Sequence, residues 1–373
     1  MKRRTTTIGL VATAAAVTLT LAACSAPEKS NTSAGSTNTG GGSTSSADYM
    51  TKLIADAQKE GELNVIALPP TWANYGEIIK TFEDKYNIKI NSKLPDTDSQ
   101  TEIDTAKRLK GQATAPDVFD VSQAVALANV DMFAPYQVQT WGDIPDANKD
   151  PEGRWVNDYG GYMSIGYDSK VVPDVTKLED LLGPEFKGKV ALNGDPTSSG
   201  VGYNGVLMAS IVNGGSADDL APGVDFWKRV NDAGNFIPID VTPATIESGQ
   251  TPVVVDWDYL NAAETNALPS WKVIVPENDV VGGFYYQAIN ADAPHPNAAR
   301  LWEEFLYSDQ GQNLWLKGGA RPIRADAMVA AGTIDEALYS KLPPVKGTPV
   351  FSTVEQTTKG AQYLADNWAA AVN

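Results

Sequence analysis

The chain has 373 residues, one cysteine, one histidine and a formal charge of −17. That balance excludes nucleic-acid binding, which needs basic patches, and it leaves no second thiol for a disulfide and no histidine cluster for a metal. At 42% hydrophobic and 9% aromatic, the bulk is ordinary globular material with room for two domains.

Lys2, Arg3 and Arg4 precede the apolar run 8–23. That run is short of the about 20 apolar residues of a transmembrane helix and has the layout of an export signal. It closes on Leu21-Ala22-Ala23-Cys24, which resembles the lipobox of bacterial lipoproteins. The resemblance implies removal of 1–23 and acylation of Cys24. The rest would then be anchored to the cell membrane on its extracellular or periplasmic side. Two acyl chains anchor stably where one is marginal. Residues 24–47 are mostly Ser, Thr, Gly, Ala and Asn around Gly40-Gly41-Gly42, and read as a flexible tether.

From 48 onward, helical and extended patterns alternate. The spacing predicts a helix over 49–60 stopped at Gly61 and a strand over 63–68. A second helix follows over 72–86, with Tyr75, Ile78, Ile79 and Phe82 on one face. A strand begins at Ile88, a helix covers 100–110, and 117–121 is a short buried strand. A second such unit spans about 162–276, with strands at 189–192 and 252–255 and an apolar helix over 203–212. The helix 296–306 carries Ala299, Trp302, Phe305 and Leu306 as its stripe. Alternation of this kind predicts an α/β fold with mostly parallel sheets covered on both faces. In such sheets ligands bind beyond the carboxyl ends of strands, which selects 69–75 and the pair Ser122-Gln123.

Three segments carry a family resemblance. They are the run from Leu181-Leu182-Gly183-Pro184-Glu185-Phe186 through Asp195-Pro196-Thr197-Ser198-Ser199-Gly200, the run Ala293-Pro294-His295-Pro296-Asn297 with Phe305-Leu306-Tyr307-Ser308, and Ala115-Pro116-Asp117-Val118-Phe119-Asp120. In order and spacing they resemble the extracellular solute-binding proteins of ABC importers, in the branch that handles polyamines, ferric iron, thiamine and aminoethylphosphonate. The resemblance implies a two-lobed type II periplasmic-binding-protein fold joined by crossing hinge strands, with the ligand in the cleft. It places lobe I at 48–157 plus 284–373 and lobe II at 158–283. It also implies a monomer without cofactor or catalysis that delivers a solute to an ABC permease and its ATPase.

Candidate ligand contacts follow from residue chemistry and from that resemblance. Thr197, Ser198, Ser199 and Gly200 follow a strand and open a helix, a position that favours an anionic group and equally suits simple capping. Asp256, Trp257 and Asp258 end a strand; an aromatic face and carboxylates suit an ammonium. Alternation sends the two aspartates to the face opposite Trp257. Trp72, Asn74 and Tyr75 follow the first strand, and Tyr285 and Tyr286 lie near the return crossing. The tyrosine pair resembles that of the ferric-binding branch but sits later in the chain. His295, between two prolines, reads as a cap or loop residue, and Gly282-Gly283 and Gly318-Gly319 as turns. The solute is expected to be a small polar molecule, a polyamine-like amine ahead of an aminoethylphosphonate-like zwitterion. The rival readings are an exported hydrolase using Asp256 and Asp258 as acid and base, and a solute-sensing lipoprotein.

Overall fold

The computed structural model describes residues 46–278 and 280–372. The leader, Cys24 and the tether up to residue 45 lie outside the described residues. Helix α1 (Ser46–Glu60) ends at Gly61, whose φ of 77° is the left-handed conformation glycine adopts without strain. Strand β1 (Glu62–Ile66), helix α2 (Tyr75–Tyr86) and strand β2 (Lys89–Lys93) follow. Then come α3 (Ser99–Leu109), β3 (Val118–Val121), α4 (Gln123–Ala128), the short β4 (Phe133–Ala134) and the long β5 (Val156–Asp168). The middle of the chain supplies β6 (Val190–Leu192), α5 (Gly200–Val212), α6 (Ala221–Asp232), α7 (Pro243–Glu247), β7 (Val253–Trp257), α8 (Asp258–Glu264) and β8 (Trp271–Ile274). The remainder is β9 (Gly282–Asn290), α9 (Pro296–Leu306), α10 (Asp309–Lys317), β10 (Arg321–Pro322), α11 (Ala325–Ala331), α12 (Glu336–Tyr339) and α13 (Val354–Val372).

The apolar stripes read from the sequence become the core. Tyr75, Ile78 and Phe82 of α2 are fully buried, and Phe82 packs edge-on against Trp302 and Phe305 of α9 at 5.2 and 5.6 Å. Strand β7 is buried at every position, as a central strand covered on both faces must be.

Among the named strands of the described residues, only β1–β2 and β6–β7 pair in parallel. Every other named pair is antiparallel: β3, β4 and β5 against β9, and β7, β8 and β10 against β5. The expectation of mostly parallel sheets is corrected accordingly. A helical crossover dictates parallel pairing only for the strands it joins. β5 and β9 instead carry the chain across the molecule and back, opposing their neighbours.

Those two strands are the crossings of a two-lobed type II fold. β5 pairs with β9 from Val156↔Gln287 to Tyr162↔Gly282, then with β7 from Met163↔Trp257 to Tyr167↔Val253. A register shift between Asn157 and Gly160 interrupts the first ladder. The expected lobe boundaries kept 284–373 together, but α13 departs from them. Its buried stripe of Leu364, Trp368 and Ala371 turns toward α6, where Trp368 meets Trp227 at 6.3 Å and Phe236 at 6.2 Å. The last helix therefore packs on the segment expected to be lobe II.

Candidate functional site

A cavity of about 610 Å³ opens between the loops around α3, α4, α5, β9 and the start of α13. One wall is the turn into α5. Gly194 has a φ of 81°, which reverses the chain after β6. The Asp195 carboxylate accepts hydrogen bonds from Thr197 N at 2.8 Å and Thr197 Oγ1 at 2.6 Å, and its carbonyl accepts from Ser198 N and Ser199 N. Such an Asx-type turn sets the loop without outside help. Ser199 is the N-cap, its hydroxyl accepting from Gly202 N at 3.3 Å.

Across from it, Ser122 precedes α4, and its N–H donates to Ser99 Oγ at 3.0 Å. A Cβ added to Gly200 would lie 3.1 Å from Ser122 Cβ. The starts of α4 and α5 thus almost touch. First-turn or cap residues of α3 (Asp98, Gln100, Thr101) and Thr357 of α13 line the same space. The starts of α3, α4 and α5 meet at this cavity, and α3 and α5, at 11 and 13 residues, present the positive ends of their dipoles to it.

The other lining is aromatic and amide: Trp257, Phe284, Tyr285, Tyr286, Phe351 and Tyr203, with Gln123, Asn148, Asn157 and Asn204. Among the described residues no Lys, Arg or His lines the cavity, and Asp98 is the one carboxylate that does. Asp98 is exposed and already accepts from Thr101 N at 2.8 Å as the cap of α3.

Of the residues singled out by sequence, Ser122, Gln123, Thr197, Ser198, Ser199, Gly200, Trp257, Tyr285 and Tyr286 line the cavity. The others do not. Trp72 stands behind Tyr285, edge-on at 5.9 Å, and its indole N–H donates to Tyr159 Oη at 2.8 Å. Asn74, at a φ of 67°, turns to donate to the Leu314 carbonyl at 2.9 Å. Tyr75 is wholly buried and donates to Asp120 Oδ2 at 2.7 Å. Asp256 is buried on the far side of β7, accepting from Asn193 Nδ2 at 2.8 Å and Trp257 N at 2.7 Å. Burial pushes its carboxyl up to about 7. Asp258 opens α8, accepts from Tyr162 N at 2.9 Å and pairs with Arg321 at 3.1 Å; burial raises its carboxyl against the pull of that guanidinium.

Both aspartates are thus committed to structure, and neither reaches the cavity as acid, base or ammonium partner. The adjacent tyrosines take different neighbours: Tyr285 stacks on Tyr159 at 5.5 Å, whereas Tyr286 meets Trp155 at 4.7 Å with the rings tilted by 47°. Burial raises both phenols, which opposes the phenolate an iron site requires. Among the described residues no group of three His, Cys, Asp or Glu is placed to hold a metal ion. His295 is held by Asp117, whose carboxylate accepts its N–H and meets Nδ1 at 2.9 Å.

Sequence reasoning missed Asn148, Asn157, Tyr203, Asn204, Phe284 and the group Phe351, Ser352 and Thr357. Tyr203 and Asn204 lie one turn beyond the serines and were within reach of a helical projection. The last group had no local signal.

A profile of the family described as bacterial extracellular solute-binding protein matches residues 115–340. Comparison with curated proteins returns no match. Among solved structures, the periplasmic binding protein AfuA from Actinobacillus pleuropneumoniae, with fructose-6-phosphate bound, superposes with a TM-score of 0.62 at 17% identity, covering 83% of this chain and 99% of that one. A ferric binding protein from Campylobacter jejuni gives 0.61 at 20%, over 83% and 99%. The spermidine/putrescine substrate-binding protein PotD from Streptococcus pneumoniae gives 0.58 at 14%, over 84% and 99%. At these identities the likeness is one of fold.

Proposed function

The chain belongs to the family of bacterial extracellular solute-binding proteins, and on that premise we propose that it captures a small solute bearing an anionic group and delivers it to an ABC permease. Proteins of this family bind solutes and make or break no bond in them, so the hydrolase reading falls away. The observation that carries the proposal is the cavity's charge: the starts of α3 and α5 and a ring of hydroxyls, with no cationic side chain among the described residues that line it and one carboxylate at the rim. Backbone N–H groups and helix dipoles hold phosphate, phosphonate or carboxylate in such a setting.

An amine is the weaker choice, although residue chemistry alone put it first. Its expected partners, Asp256 and Asp258, are buried elsewhere, and an ammonium would meet the positive ends of the helices. An aminoethylphosphonate-like zwitterion fits the helix starts through its phosphonate, but the cavity has room for a larger body. Fructose-6-phosphate in AfuA is a solute of that kind.

Calorimetric titration with fructose 6-phosphate, aminoethylphosphonate, spermidine and ferric citrate tests this. Binding of a phosphorylated or phosphonylated probe, weakened in Ser198→Ala and Trp257→Ala, is the expected result. Tight spermidine binding with no response to the anions would overturn it.

We also propose that acylated Cys24 anchors the protein. Among the described residues no helix is long and apolar enough to cross a membrane. Labelled palmitate incorporated by the native chain and lost in Cys24→Ser is the expected outcome; equal labelling of both would refute the anchor.

A further inference from the structure

Phe351 is the most exposed aromatic ring in the cavity wall, at 46% of its surface. It arrives on an irregular segment, 343–353, stiffened by Pro343, Pro344 and Pro349. That segment is fastened along its length. Asn278 N donates to the Lys346 carbonyl at 3.1 Å, Val350 N to Val280 O at 2.8 Å, and Gly282 N to Val350 O at 3.0 Å, while Lys346 pairs with Glu277. The ring stacks on Phe284 at 5.7 Å and 16°. It lies flush on β9 because Gly282 has no side chain; a Cβ there would come within 2.5 Å of Phe351 Cε1.

The far side of the cavity holds this segment through one side chain. Gln123, the first residue of α4, donates from Nε2 to the Ser352 carbonyl at 3.0 Å and accepts at Oε1 from Thr357 Oγ1 at 3.1 Å. Both ends of its amide are occupied by residues of the segment and of α13. Since α13 packs on α6, this contact ties α4 to the opposite half of the molecule.

We propose that residues 343–353 form a strap across the cavity, latched by Gln123, on which Phe351 selects solutes that carry a flat or apolar face beside their anionic group. This rests on the anion-binding reading above and extends it to the other end of the solute. An exposed phenyl ring gains when a ligand covers it, because apolar surface is removed from water. The hydroxyls and helix starts offer that gain to no apolar group, whereas the side formed by Phe351, Phe284 and the bare glycines of β9 does.

The test compares phenyl phosphate with methyl phosphate, titrated into the native protein, Phe351→Ala, Phe351→Tyr and Gly282→Ala. The expected result is a roughly tenfold loss of phenyl phosphate affinity in Phe351→Ala and Gly282→Ala, with methyl phosphate changed less than about twofold and Phe351→Tyr close to native. Equal loss of both probes, or loss of neither, overturns the selective role of the ring. If the native protein binds neither probe, the anion reading itself fails, and hydrogen exchange then decides the strap. The amides of Val350 and Gly282 should exchange at least about tenfold faster in Gln123→Ala than in the native chain; unchanged protection overturns the latch.

Discussion

The Trp257 indole rests against the bare backbone of Gly283, so closely that a Cβ at that glycine would lie 2.6 Å from ring atom Cη2. The indole is 3% exposed and stacks on Tyr259 at 6.5 Å, so it has little room to retreat. Gly283→Ala should destabilise the fold by about 1–3 kcal/mol through overpacking and displace Trp257 from the cavity wall. A shifted tryptophan emission maximum and weakened solute binding in the folded variant are the expected readouts. Native values for both would mean that the wall tolerates a methyl group.

Arg321 and Asp258 form a buried ion pair at 3.1 Å, with the guanidinium also 4.8 Å over the Tyr162 ring. Arg321→Met leaves the carboxylate buried and unpaired, which costs roughly 3 kcal/mol. Urea unfolding should show that loss. Solute affinity should stay within about twofold, because neither residue lines the cavity. A large loss of affinity in a stable variant would put Asp258 back among the ligand contacts.

Stability should fall as pH rises from about 4 to about 8. Burial pushes Asp256 up to about 7 and Glu303 up to about 8, against about 4 for both in an unfolded chain. Between those values the folded state binds more protons than the unfolded state, so stability declines as pH climbs through the window. Carboxylates held down by a cation, such as Asp150 beside Arg154, act only at lower pH. Urea midpoints at pH 5.5 and 8.5 check the sign: the midpoint should be higher at 5.5, with a smaller difference in Asp256→Asn. The reverse order would contradict the assignment.

Asp195 organises the loop before α5 without facing the cavity itself. Asp195→Ala removes two hydrogen bonds to Thr197, about 0.5–1.5 kcal/mol each. Affinity for a phosphorylated solute should drop by roughly fivefold or more, with the thermal midpoint lowered by a few degrees. Full affinity in this variant would show that the turn holds its shape by the Ser199 cap alone.

Parts of this architecture were legible in the sequence where local pattern and tertiary role coincide. Helix α9 runs over 296–306 as its stripe of Ala299, Trp302, Phe305 and Leu306 required. Ser198, Ser199 and Gly200 announced a helix start after a strand, and Trp257 a strand end. The aspartates beside it misled because charge at a strand end looks like a binding group. What commits them is Arg321, 63 residues beyond Asp258 in sequence, and the amide of Asn193. The rule favouring loops beyond strand ends selected 69–75 after β1, none of which lines the cavity. It did not foresee that Ala73 and Asn74, at φ of 45° and 67°, would turn Asn74 toward α10. The strap was hidden for another reason. Phe351, Ser352 and Thr357 belong to an aperiodic proline-rich stretch and the helix after it, and only the return of α13 onto α6 carries them to the cavity.

The break in the β5–β9 ladder between Asn157 and Gly160 has a mechanical meaning. An uninterrupted ribbon resists twisting because rotation at one rung is passed to the next. Here the two residues that β9 skips are taken up by β10, where Pro322 pairs with Tyr159 and Ile323 N donates to the Asp158 carbonyl at 2.9 Å. The crossing strand therefore changes its partner at that point, and its twist there is set by β10 as well as by β9.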